Sequence, residues 1–432
     1  MGRDGRYAKG AARKVISVTQ PLNLGPRTWL VDPKTQTLVA ALQAHKPGCL
    51  KFVGGCVRNS LLQQPVDDID IATSLPPFEV VRILEAAGIK VVPTGIDHGT
   101  VTAIVSGKPF EITTLRRDVE TDGRHAVVEY TDDWAVDASR RDFRLNAIYA
   151  APDGTLLDPC GGIADARAGR VIFIGDPEAR IIEDTLRILR FFRFNAWYGR
   201  SELDSDGLRA CAALKSGIEG LAAERVWKEL KKLLAAFDPR RAMRAMAASG
   251  VLPLILPETK GLEAFDLLVE TETSLALEID PLVRLMALIP RDGAVALALA
   301  ARLRLSNAER DRLEAWATDA TVLVSYMSAR DVRRALYRMG REVFTDRTKL
   351  EWATCTNTRQ APQWRALLAL AGSWTPPRFP LDGTAVLNAG ARPGPAIGAI
   401  LREVEAWWID ADFTDDELSI IERLKAVTQA LG

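Results

Sequence analysis

Histidine is almost missing from this 432-residue chain: His45, His98 and His125 are the whole complement. None forms a His-Asp pair, so a phosphohydrolase centre of that type has no material. Cysteine is scarce too. Cys49, Cys56, Cys160, Cys211 and Cys355 are scattered and make no CxxC pair. That pattern fits reduced thiols in the cytoplasm and argues against a zinc site. No apolar run approaches the roughly 18 residues of a membrane span. The basic N-terminus (Arg3, Arg6, Lys9, Arg13, Lys14) lacks the apolar stretch of a secretory signal and reads as a disordered arm. Net charge is also absent, because 56 Lys and Arg balance 56 Asp and Glu. Nucleic-acid binders usually carry a basic excess, so an RNA surface here requires the signs to be segregated. The remainder is ordinary for a globular protein, with 47% hydrophobic and 26% charged residues and length enough for several domains.

Residues 1–46 read as an arm followed by a short amphipathic helix from Trp29 to Ala44. Between residues 47 and 175, strand-like runs (50–53, 69–72, 90–92, 101–105, 110–114, 126–130) alternate with helical ones (56–63, 77–87). This is the pattern of a small α+β head. Ser106-Gly107-Lys108, between two alternating runs, predicts a hairpin. After Asp176 helical periodicity takes over, opened by an Asp176-Pro177 cap. Breaks divide the helical remainder into 176–236, 237–372 and 373–432, the last set off by the Pro-rich stretch from Trp374 to Pro380.

The densest chemistry lies in FVGGCVRNSLLQQPVDDIDI, residues 52–71. An apolar strand ends in Gly54-Gly55, and a glycine pair lets backbone approach a phosphate at a helix N-terminus. Arg58 follows one helical turn later. A second strand then carries Asp68 and Asp70, which at i and i+2 share a face while Ile69 and Ile71 point inward. Two such carboxylates repel each other unless a hard cation neutralises them. Mg2+ does so while keeping water and phosphate as its other ligands. In KPFEITTLR, Glu111 alternates outward between Phe110 and Ile112 and can orient or deprotonate an attacking hydroxyl. In RRDFRLNA (140–147), Arg141 offers a fork to phosphate and Asp142 an acceptor to a ribose hydroxyl. Arg116 to His125 reads as a polar surface loop with a DG turn.

The segment EARIIEDTLRILRFFRFNAWYG predicts one helix, with Ile181, Thr185, Ile188 and Phe192 toward the core. Asp184, Arg187, Arg190 and Arg193 then form a row along one flank. An acceptor beside a donor suits cytosine and adenine, which both show an amino group next to a ring acceptor. Uracil and guanine present the reverse, and a buried mismatch of that kind costs several kcal/mol. Further on, Lys228, Lys231 and Lys232 give a basic helix face.

These motifs resemble those of the class II nucleotidyltransferases that add CCA to tRNA 3′ ends, and of their bacterial poly(A) polymerase relatives in the polymerase-beta superfamily. The resemblance is dense from about residue 47 to 235 and looser beyond. The family usually carries Asp where this chain has Asn59, an isosteric change. The resemblance implies a polymerase-beta-like α+β head followed by an all-α neck, body and tail, the tail gripping tRNA. It implies two Mg2+ on Asp68 and Asp70, with Glu111 as the third acid. Gly54, Gly55, Arg58, Arg141, Asp142 and Asn146 would contact the nucleotide. Glu183 to Arg190 matches the family's EDxxRxxR motif, which makes Asp184 and Arg187 an amino-acid template for C and A. Arg190 and Arg193 would hold triphosphate or fix that template. The implied substrates are CTP, ATP and the tRNA 3′ end. A poly(A) polymerase, a dedicated A-adding enzyme, a CC-adding enzyme and an inactive RNA-binding protein of the same fold remain alternatives. A flexible loop like that at 116–125 accompanies A addition in the family.

Overall fold

The computed structural model describes residues 22–122 and 125–431. The basic arm and the Gly123 end of the DG turn lie outside them. By its internal contacts the chain divides into two compact units, residues 1–184 with 198–207, and residues 185–197 with 208–432.

The first unit is built on a seven-stranded mixed sheet in the order β3-β4-β5-β2-β1-β8-β9. Its strands are β1 (Leu50–Val53), β2 (Asp70–Thr73), β3 (Lys90–Gly95), β4 (Thr100–Val105), β5 (Lys108–Thr114), β8 (Tyr149–Ala150) and β9 (Leu156–Leu157). β2 runs parallel to β5 and antiparallel to β1. Period-2 alternation explains the inward faces: Phe52, Ile71, Phe110 and Ile112 are buried. The predicted hairpin joins β4 to β5, with positive φ at both Ser106 and Gly107, the backbone a tight two-residue turn demands.

Three expectations change in this unit. The described residues of 116–125 are strand, not loop: β6 (Arg116–Asp122) pairs with β7 (His125–Tyr130) as a separate two-stranded sheet. The helix predicted from Trp29 to Ala44 is broken, because Asp32 caps a new helix, Pro33–His45, by accepting from the Lys34 amide at 3.0 Å. The strand at 69–72 begins at Asp70, so Asp68 precedes the ladder.

Among its described residues, every regular element of the second unit is helical. Ser306 and Glu309 close a capping box on the helix Asn307–Thr318. The last helices, Ala396–Asp410 and Glu417–Leu431, pack around Val404, Leu424 and Val427. Trp408, Phe413 and Tyr337 form an aromatic cluster there.

One buried charge ties this unit together. Arg284 is 0% exposed. Its Nε donates to Glu272 Oε2 at 2.7 Å, and its other nitrogens donate to the carbonyls of Leu234, Ala236 and Phe237. The Leu234 carbonyl is the last of the helix Ala223–Leu234 and has no partner within the helix, and the other two belong to the turn that follows it. Arg284→Ala would leave a buried carboxylate and these carbonyls unpaired. It should destabilise this unit by about 3–5 kcal/mol in denaturant unfolding, with Glu272→Gln costing less.

Candidate active site

The β2–β5 ladder places Asp70 directly beside Glu111 in parallel register, and on its other side Asp70 faces Val53 at the end of β1. The turn after Val53 reaches the same point. Gly54 has φ 73° and ψ −125°, a conformation that only glycine adopts readily, and a Cβ there would lie 3.5 Å from Asp70 Oδ2. The strand-end acid and the glycine turn are thus neighbours, as the sequence predicts. Helix α1 (Gly55–Leu61) starts at that turn.

Burial, then the Glu111 carboxylate and Asp68, push the Asp70 carboxyl up to about 6, against Arg141 and Arg58, which pull it down. Asp68 therefore contributes to the cluster although it stands outside the strand. A cleft of about 280 Å³ opens here, lined by Asp70, Glu111, Thr100, Thr113, Arg140 and Arg141.

Arg141 is aimed by a residue that sequence reasoning missed. Asp137, 1% exposed on helix α2 (Trp134–Ser139), accepts from Arg140 through Oδ1. Its Oδ2 accepts from Arg141 Nη2 at 3.0 Å and from the Tyr149 hydroxyl at 2.7 Å. Burial alone would raise the Asp137 pKa, but the two arginines and Tyr149 hold it below the usual carboxylate range. The i,i+3 and i,i+4 spacing to Arg140 and Arg141 was the available signal.

Arg58, Asp142 and Asn146 come together in a buried network. Arg58 Nη1 donates to Asn146 Oδ1 at 2.5 Å, and Asn146 Nδ2 donates to Asp142 Oδ1 at 2.9 Å. Asp142 Oδ1 also accepts from the Phe143 amide. The Arg58 guanidinium lies over the Tyr198 ring at 4.1 Å and donates to its hydroxyl at 2.7 Å. Nothing in the sequence pattern marks Tyr198 as a partner.

The predicted single helix of the reading segment is two. Asp184 has φ −151° and ψ 103° and separates α3 (Pro177–Glu183) from α4 (Leu186–Tyr198). The compact units also divide between Asp184 and Thr185. Asp184 is therefore not in a helical row with the arginines, whereas Arg187, Arg190 and Arg193 share α4. Ile181, Ile188 and Phe192 are buried as predicted. Arg193 pairs with Glu229 at 2.6 Å and Arg190 approaches it at 3.9 Å. Glu229 lies on α5 (Ala223–Leu234), the helix with the predicted basic face.

Residues 50–172 match the model of the poly A polymerase head domain, and residues 202–262 match that of the probable RNA and SrmB-binding site of polymerase A. The mitochondrial CCA tRNA nucleotidyltransferase 1 of Mus musculus is 32% identical over 91% of this chain and 89% of its own length. The chain belongs to the CCA tRNA nucleotidyltransferase family. The CCA-adding enzyme of Streptococcus gordonii is 31% identical over 87% of the chain and 92% of its own. The fold is that of the Bacillus stearothermophilus CCA-adding enzyme in complex with CTP, at TM-score 0.72 and 24% identity, covering 92% of this chain and 98% of that one.

A nucleotidyltransferase of this family calls for divalent metal, and the donor set fits one. Among the described residues no three His, Cys, Asp or Glu side chains converge to cage an ion. Mg2+ needs no such cage, since one or two carboxylates suffice when water and phosphate complete its octahedron. Asp70, its pKa raised by Glu111 and Asp68 against the pull of Arg141 and Arg58, is the centre of such a carboxylate group.

Because the folded value of Asp70 lies above the ordinary 3.8, its protonation stabilises the metal-free protein. That contribution is complete below about 3.8 and is lost as the pH rises through about 6. In EDTA at pH 7.5, Asp70→Asn should be more stable than the parent by about 1–3 kcal/mol, with the gap closing toward pH 4. Thermal unfolding across that range checks it. Coincident curves at pH 7.5 would remove the carboxylate clash.

Proposed function

We infer that this protein adds C, C and A to tRNA 3′ ends from CTP and ATP, without a nucleic-acid template. One observation carries the reading: Asp70 and Glu111 stand in register beside the Gly54 turn and Arg141. They do so in a chain that matches a CCA tRNA nucleotidyltransferase over 91% of its length.

In this reading Asp68 and Asp70 hold two Mg2+, and Glu111 orients the tRNA 3′-hydroxyl and takes its proton. The metal, when bound, lowers the pKa of that hydroxyl and offsets charge on the triphosphate. Backbone at Gly54 and Gly55 approaches the phosphates, and Arg141, aimed by Asp137, offsets charge on the leaving pyrophosphate. Arg58 and Asn146 support the floor of the nucleotide site, and Asp142 faces the ribose. The 3′-oxygen bonds to the α-phosphorus as the bond to the β-phosphate oxygen breaks, in line, and pyrophosphate leaves. Asp184 and Arg187 select C and A by accepting from the amino group and donating to the ring nitrogen. Arg190 and Arg193, both facing Glu229 of α5, steady that template. The five head-to-tail segments 1–46, 47–175, 176–236, 237–372 and 373–432 serve as arm, head, neck, body and tail. Among the described residues no helix is long and apolar enough to cross a membrane. All five cysteines are free, which supports work in a reducing compartment such as the cytoplasm.

The match to a poly A polymerase head favours poly(A) synthesis as the second reading. A tRNA ending at its discriminator base decides between them, with CTP and ATP supplied singly and together. The CCA reading requires three added nucleotides with both substrates. A long A tract from ATP alone would make the chain a poly(A) polymerase, and a stop after CC would make it a CC-adding enzyme.

Asp184→Ala or Arg187→Ala should relax the preference for CTP and ATP over UTP and GTP by at least about tenfold, as expected for loss of a paired polar reader. Metal dependence should persist. Unchanged selectivity in both variants, measured by single-nucleotide incorporation, would reject the protein template.

A further inference from the structure

The segment between α1 and β2, residues 62–69, carries Asp68 and leads into Asp70, which lines the cleft, yet it has no regular secondary structure. Two sets of bonds hold its start, and Asn59 takes part in both. The first is backbone. Gln63 adopts φ 56°, its amide meets the Ser60 carbonyl at 3.4 Å, and the Gln64 amide donates to the Asn59 carbonyl at 2.8 Å. This is a Schellman closure of α1 with glutamine, not glycine, in the left-handed position. The second set is the Asn59 side chain. Its Oδ1 accepts from Arg58 Nε at 3.1 Å and Nη2 at 2.9 Å, while its Nδ2 donates to the Pro65 carbonyl at 2.8 Å.

We propose that Asn59 is a positioning residue whose amide ties the Arg58 guanidinium to the Asp68-bearing loop, and thereby sets the divalent-metal site. The tie needs one acceptor and one donor on the same planar group. An amide has both, whereas an ionised carboxylate has only acceptors. With Asp at this position the Arg58 bonds survive, but a carboxylate oxygen faces the Pro65 carbonyl with no proton between them. The loop then loses its side-chain anchor and is held only by a turn whose left-handed residue is itself strained.

The inference rests on the assignment of Asp68 and Asp70 to the metal, and the test separates the two. Asn59→Asp is compared with the parent in amide hydrogen exchange of the metal-free protein, and in the Mg2+ concentration for half-maximal CTP incorporation. The expected result is faster exchange at Gln64 and residues 66–69, with amides of β1 and β5 unchanged. The half-saturating Mg2+ should rise about threefold to tenfold, and kcat should recover at high Mg2+. Unchanged exchange in residues 64–69 would overturn the proposed tie. Faster exchange with unchanged Mg2+ demand would show that the loop does not set the metal site and would overturn that half. Asn59→Ser, which keeps a donor but shortens it, serves if Asn59→Asp does not fold. The same exchange and Mg2+ comparisons then apply to it.

Discussion

Like charges forced together by a hydrogen-bonded ladder are the constraint from which this active site follows. β2 and β5 fix Asp70 and Glu111 side by side, and a strand pair in register cannot separate its side chains without breaking backbone bonds. Asp70 is half-buried beside an exposed Glu111, and burial and repulsion together raise its pKa. From the protein side Arg141 and Arg58 offset part of that charge. The glycine turn, the arginine supports and the loop that brings Asp68 are all arrangements around this fixed electrostatic demand.

The supports obey a common rule. Three arginines at the site have a buried acceptor that sets their direction: Asp137 for Arg140 and Arg141, Asn146 for Arg58. Glu229 does the same for Arg193 in the helical unit. A long cationic side chain loses considerable rotamer entropy when it is ordered. A partner already in place means that this loss is incurred at folding and not when a nucleotide arrives.

Much of this was legible in the sequence because it follows period and local sterics. Alternation placed Phe110, Glu111 and Ile112 on their correct faces, and the Gly54-Gly55 pair marked the turn. The failures have equally specific causes. Tyr149–Ala150 and Leu156–Leu157 are two-residue strands, too short for any periodicity to show. β6 was hidden because its polar residues owe their strand to pairing with β7, a tertiary cause. The helix across Asp184 has good propensity on both sides, yet the chain passes from one compact unit to the other at that point. Asp137, Tyr198 and Glu229 act as partners to residues that carry recognisable motifs, and partnership is a property of three-dimensional proximity. The motif residues themselves were found through likeness to a family; composition alone, with its zero net charge, pointed weakly away from RNA.

The clamp of Asp137 on Arg141 also bears on turnover. A guanidinium that met a phosphate with no prior partner would bind it tightly and release it slowly. Arg141 already spends two of its nitrogens on a buried carboxylate and a tyrosine hydroxyl. In the proposed mechanism an incoming phosphate therefore gains only the difference between two ionic environments. An enzyme that must discharge pyrophosphate after every addition, several times on one RNA, is well served by a cation that holds its anion loosely.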